Sequence, residues 1–138
     1  MVQIVIDTNV LVAAMRSRRG RSNELLRRLT DPRWQVNISA SLILEYEEVL
    51  MRQAATGAFS ERVAMVIVDR FCAVGRKNAI FFRWRPSLPD ADDEFLLDLA
   101  LRCQCEYLIT FNHRDLIAAS AFGIRVVTPG QFLTIMEA

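Results

Sequence analysis

Asp7, Glu45 and Asp93 are the acids of this chain whose settings suggest chemistry. Asp7 closes the apolar run Val2-Gln3-Ile4-Val5-Ile6 and precedes Thr8-Asn9-Val10-Leu11, which delivers a carboxylate to the tip of a first strand. Ligands of open parallel sheets bind beyond the carboxyl ends of the strands, so that tip is where a site belongs. Asp93 opens an expected helix in which Leu96, Leu97 and Ala100 share its face at i+3, i+4 and i+7. A carboxylate on the core side needs protonation, a hydrogen-bonded partner or a cation. Glu45 flanks the apolar stripe Leu42, Tyr46, Val49 and Leu50, in the first turn of a helix for which Ser41 is the expected N-cap. That helix leaves the second strand, so Glu45 shares the sheet edge of Asp7, whereas Glu47 and Glu48 sit farther along.

Three converging carboxylates repel one another and push at least one pKa up unless a cation is bound. Oxygen ligands without a His or Cys pattern select a hard ion, Mg²⁺ or Mn²⁺, which keeps waters and meets a substrate phosphate. Such an ion generates a nucleophile from bound water, and a second one about 3.5 to 4 Å away steadies the leaving oxygen of a phosphodiester. The remaining polar residues carry weaker signals. Asp90 and Asp92 fit helix capping and the helix dipole, and Asp98 points away from the core. His113, the only histidine, reads as a surface residue at a helix start. Arg16, Arg18, Arg19 and Arg21 cluster around Gly20 and suit either solvent or a nucleic-acid backbone gripped beside Asp7.

The elements that must position these residues alternate in type. Apolar runs at 2–7, 34–38, 79–83, 107–110 and 125–127 read as strands, and helical patterns fall at 9–15, 22–29, 42–53, 61–74, 93–103, 113–121 and 129–136. This alternation predicts an α/β fold with a parallel sheet. The 138 residues, 52% of them apolar, suit a single domain over 1–138. The net charge of +1 points to no class of partner. Three cysteines, Cys72, Cys103 and Cys105, are odd in number and form no C-x-x-C pair, which disfavours a disulfide framework or zinc knuckle and favours a cytoplasmic setting. No uncharged run approaches the roughly 18 residues of a membrane helix, so no membrane association is expected. The five glycines form neither G-x-G-x-x-G nor a P-loop, which argues against nucleotide-cofactor enzymes.

In their order and spacing, Ile6-Asp7-Thr8-Asn9-Val10-Leu11, Ser41 with Glu45, Asp92-Asp93-Glu94-Phe95-Leu96 leading to Ala100, and Leu108-Ile109-Thr110-Phe111-Asn112-His113-Arg114-Asp115-Leu116 resemble the PIN-domain nuclease family. The resemblance is greatest to its bacterial toxin–antitoxin branch, the VapC-like toxins. It implies a three-layer α/β/α fold around a parallel sheet of about four to five strands. It further implies a Mg²⁺- or Mn²⁺-dependent ribonuclease that leaves a 5′-phosphate and a 3′-hydroxyl, a small antitoxin partner and a homodimer. Matched position by position, Asp7, Glu45 and Asp93 would bind metal, with Asp92 contributing. Asn9 would hold the site by hydrogen bonds, and Ser41 and Thr110 would orient ligands or water. Asn112 stands where many members have a fourth Asp; it keeps an oxygen ligand without the charge, and Asp115 could compensate. Two other readings stay open. A PIN-fold binding module would bind metal without hydrolysis. A phosphotransfer domain is disfavoured by the single lysine, Lys77, and by the lack of Asp-x-Asp-x-Thr at Asp7.

Overall fold

The computed structural model describes residues 1–79 and 91–138, leaving the side chains of 91–93 outside the described set. The strands Val2–Ile6 (β1), Trp34–Ile38 (β2), Arg76–Lys77 (β3), Tyr107–Ile109 (β4) and Arg125–Val127 (β5) pair in parallel, in the order β3-β2-β1-β4-β5. Helices Thr8–Arg16 (α1), Arg21–Arg27 (α2), Ala40–Ala55 (α3), Glu61–Val74 (α4), Ala91–Arg102 (α5), His113–Leu116 (α6) and Pro129–Glu137 (α7) connect them in a three-layer α/β/α arrangement. A 3-10 segment, Ile117–Phe122, continues α6. Ile4, Val5 and Ile6 in the central strand have no exposed surface, because helices cover both faces of a parallel sheet and demand an unbroken apolar run.

This strand order reverses at β1. The chain runs from β1 to β2 on one side and later adds β4 on the other, so the connections diverge above the carboxyl ends of β1 and β4 and open a crevice there. Asp7 follows β1 and Thr110 follows β4, and the register Ile6 to Ile109 sets them side by side.

The expected strand at 79–83 lies mostly outside the described residues, and β3 is found just upstream. Gly75 makes that turn out of α4 possible: a Cβ there would meet the Phe71 carbonyl oxygen at 2.6 Å and Ile38 Cγ2 at 2.9 Å. The N-cap expected at Ser41 is instead Ser39, whose Oγ accepts from the Leu42 amide at 3.2 Å. Ser39 directly follows β2 in extended backbone, so the helix begins two residues early and Ser41 is exposed within it. Glu45 consequently falls in the second turn of α3 rather than the first.

Candidate functional site

Asp7 is 8% exposed and serves as the N-cap of α1, its Oδ1 accepting from the Thr8 amide at 2.7 Å. Its Oδ2 accepts from the Thr110 hydroxyl, also at 2.7 Å. Thr110 Oγ1 in turn accepts from Asn9 Nδ2 at 3.2 Å and from the Asn112 amide at 2.9 Å. A hydroxyl has one hydrogen to give and two lone pairs to fill. All three are used, and the hydrogen goes to Asp7. Asn9 Oδ1 accepts from the Phe111 amide at 3.2 Å, which ties the start of α1 to the loop beyond β4.

Burial pushes the Asp7 carboxyl above its ordinary range, and the hydrogen bonds from Thr110 and Thr8 pull it down without cancelling that rise. Among the described residues no Arg or Lys side chain forms an ion pair with it. On α3 the Tyr46 hydroxyl donates to the carbonyl of Ile6, the residue before Asp7. Its ring is fully buried and packs edge-on against Phe71 with centroids 5.0 Å apart. Burial raises the Tyr46 phenol first, and the charges of Asp7 and Glu45 raise it further. Two of the three predicted acids therefore act on one buried phenol. Glu45 is half-buried beside it in the chain.

Asp93 lies in the first turn of α5, and the side chains of Asp92 and Asp93 are outside the described residues. Among the described residues no group of three His, Cys, Asp or Glu side chains gathers. The donors present still fit a hard divalent cation. They are carboxylate, amide and hydroxyl oxygens, and the adjoining Thr8 has a hydroxyl that is buried and without a hydrogen-bond partner. Such an ion would offset the desolvation that hydrogen bonds leave uncancelled at Asp7.

The other expected site residues divide. Asn112 is half-buried and its side chain makes no cap bond to α6, while Asp115 and His113 are exposed in that helix. Arg16 donates to Gln53 of α3. Arg16 and Arg18 line a cavity of about 580 Å³ with Asn23, Phe59 and Val63. Arg19 is exposed. Arg21 is turned to the structure itself, bound to Glu24 at 2.9 Å and to Glu137 of α7 at 3.5 Å. Sequence reasoning passed over Thr8 and the Tyr46 hydroxyl. The usable signal was that a tyrosine on a core stripe must find a partner for its hydroxyl.

A family model described as PIN domain matches residues 3–114, a span that includes Asp7, Glu45, Asp93, Thr110 and Asn112. The chain belongs to the PIN domain family. Solved structures share the PIN fold at low identity. VapBC-1 from nontypeable Haemophilus influenzae is 14% identical, with 94% of this chain and 99% of that one covered and a TM-score of 0.60. VapBC2 from Rickettsia felis, bound to a DNA fragment from their promoter, gives 12%, 91%, 97% and 0.60 on the same measures. FitAcB from Neisseria gonorrhoeae gives 18%, 92%, 98% and 0.59. No curated protein matches the sequence. Among the described residues no helix is long and apolar enough to cross a membrane.

Proposed function

We propose that this PIN chain, a single domain over 1–138, is a divalent-metal-dependent endoribonuclease acting as the toxin of a toxin–antitoxin pair. The observation that carries the reading is Asp7: a buried carboxylate at the switch point of a parallel sheet, surrounded by neutral donors and still raised above its ordinary range. Asp7, Glu45 and Asp93 would hold Mg²⁺ or Mn²⁺, with Asp92 beside them. When bound, the ion supplies an activated water and a positive charge for the phosphate.

The chain's own residues do the positioning. Thr110 fixes the Asp7 rotamer by giving it its only hydrogen, and Asn9 keeps Thr110 in place. Tyr46 holds α3, and with it Glu45, against the end of β1. Asn112 would bring a neutral oxygen where many family members have a fourth acid, which favours one ion over two. Arg16, Arg18 and Arg19 would grip the RNA backbone, whereas Arg21 is already neutralised by Glu24 and Glu137. The matching folds come from VapBC and FitAcB assemblies, toxin–antitoxin pairs, and this supports a small antitoxin as partner. A homodimer in the cytoplasm completes the reading.

The test is a Mn²⁺- and Mg²⁺-dependent cleavage assay against DNA and several RNA classes. Cleavage of RNA that a chelator abolishes is the expected result. Metal binding with every nucleic acid left intact would instead favour the binding module, for which Asn112 in place of an acid is the supporting observation.

A further inference from the structure

Strand β5 is an edge of the sheet, paired with β4 on one side and with no strand on the other. The Arg125 amide donates to the Glu106 carbonyl at 3.0 Å, and the Thr110 amide donates to the Val127 carbonyl at 2.8 Å. Arg125 and Val127 therefore turn their main chain toward β4. Val126, between them, turns its amide and carbonyl outward, because backbone direction alternates along a strand. Among the described residues neither of these two groups finds a main-chain partner, although the Val126 side chain is buried. An edge of this kind is an open template for another strand.

The outward side of β5 walls a groove of about 790 Å³ that runs between α7 and the start of α6 with its 3-10 continuation. Ile117, Val127 and Ile135 make part of it apolar, and Arg21, His113 and Arg125 are its ionisable residues; no carboxylate among the described residues lines it. Arg21 is held by Glu24 and Glu137. Arg125 is exposed and forms no ion pair among the described residues, its guanidinium lying over the Tyr107 ring and donating to the Tyr107 hydroxyl at 3.0 Å. Gly130 opens the groove on the α7 side. A Cβ there would meet nothing closer than Arg21 Cγ at 3.7 Å, and its φ is not left-handed, so neither packing nor backbone requires glycine. Glycine in a helix costs stability, and what its missing side chain provides here is room beside β5.

We propose that this groove binds an extended acidic peptide segment of a partner protein, which joins the sheet as a further strand beside β5. The main chain of the peptide completes the Val126 amide and carbonyl, its apolar side chains cover Ile117 and Ile135, and a carboxylate meets Arg125. Charge decides against a second copy of this chain, which would bring the same cations to the same groove. The phosphates of a nucleic acid are acceptors alone and leave the outward Val126 carbonyl unmatched. The groove lies beyond β4 from β1 and Asp7, and the inference is independent of the nuclease reading.

The probe is a fluorescein-labelled Val-Glu repeat, titrated with the folded full chain and followed by fluorescence anisotropy. The expected result is binding that a Val-Lys repeat of the same length does not show. N-methylation of the valine amides and of the glutamate amides in turn should abolish binding for one set only, because a strand offers alternate residues to its neighbour. Gly130→Leu, which fills the groove, should remove binding, and Arg125→Gln should weaken it about tenfold. The N-methylated peptides need no protein variant, so a variant that fails to fold leaves the test standing. The proposal is overturned if the Val-Glu repeat does not bind, if the Val-Lys repeat binds as well, if the two N-methylated sets behave alike, or if Gly130→Leu folds and binds normally. Displacement of the peptide by single-stranded oligouridylate would assign the groove to nucleic acid, and a dimer that Gly130→Leu dissociates would assign it to a second copy; either result overturns it.

Discussion

Two aspartates at opposite edges of the sheet meet opposite treatment. At the amino edge, Asp31 accepts from the Arg33 amide at 2.9 Å and from Arg33 Nε and Nη2 at 3.0 and 2.9 Å, with Arg28 at 3.5 Å. The Arg33 side chain first, and its amide second, hold the Asp31 carboxyl well below the usual carboxylate range. The same two guanidiniums lie over the Trp34 ring, 5.1 and 5.4 Å from its centroid, so the charge there is fully used by the fold. At the carboxyl edge, Asp7 receives neutral donors and is raised. One carboxylate is completed by charged partners of its own chain, and the other is the one proposed above to take a metal ion. Burial and the charge of their partners, guanidiniums at Asp31 and neutral donors at Asp7, send the two carboxyls in opposite directions.

The largest way to break the comparison is Asp7→Asn. RNA cleavage should fall below about a hundredth of wild type, since even groups that only orient metal ligands cost 10- to 100-fold. Stability in chelator should stay within about 1 kcal/mol, because the amide still accepts from Thr8 while the buried charge is gone. A urea melt beside the activity assay checks both. Thr110→Val should lower cleavage by about 10- to 100-fold and stability by about 1 to 3 kcal/mol, since it strands the Asn112 amide as well as loosening Asp7.

Tyr46→Phe keeps the packing on Phe71 and removes only the bond to the Ile6 carbonyl. It should cost about 1 kcal/mol and raise the Mn²⁺ concentration needed for half-maximal cleavage, through a looser Glu45. Equal metal dependence in the two proteins would reduce Tyr46 to a packing residue.

Asp31→Asn is the smallest change and the control. It should cost about 1 kcal/mol or less, as surface ion pairs do, and leave cleavage untouched. Because the folded pKa of Asp31 is depressed, its contribution is present above the unfolded value near pH 3.9 and is lost as pH falls through the lower folded value. The stability gap between wild type and Asp31→Asn should therefore close below about pH 4, in urea melts taken across that range.

Much of this was legible in the chain because it is local. β1 with Asp7 at its tip, β2 at Trp34–Ile38 and α4 at Glu61–Val74 follow from periodicity and from the residues that punctuate it. The choice between Ser39 and Ser41 as cap was not, since both precede the same apolar stripe and only the abrupt end of β2 selects the first. Partners far apart in sequence were equally hidden. Nothing near Arg21 announces Glu137, and nothing near Tyr46 announces the Ile6 carbonyl. Spacing singles out Asp93 and only the family resemblance adds Asp92, and the side chains of both lie outside the described residues.

The central claim, that the fold leaves the charge of Asp7 to a divalent cation, is tested most directly by melting wild type and Asp7→Asn with and without Mn²⁺. At a Mn²⁺ concentration about 100 times its Kd, wild type should gain about 2.7 kcal/mol and Asp7→Asn close to nothing. Equal gains in the two proteins, or none in wild type, would contradict it.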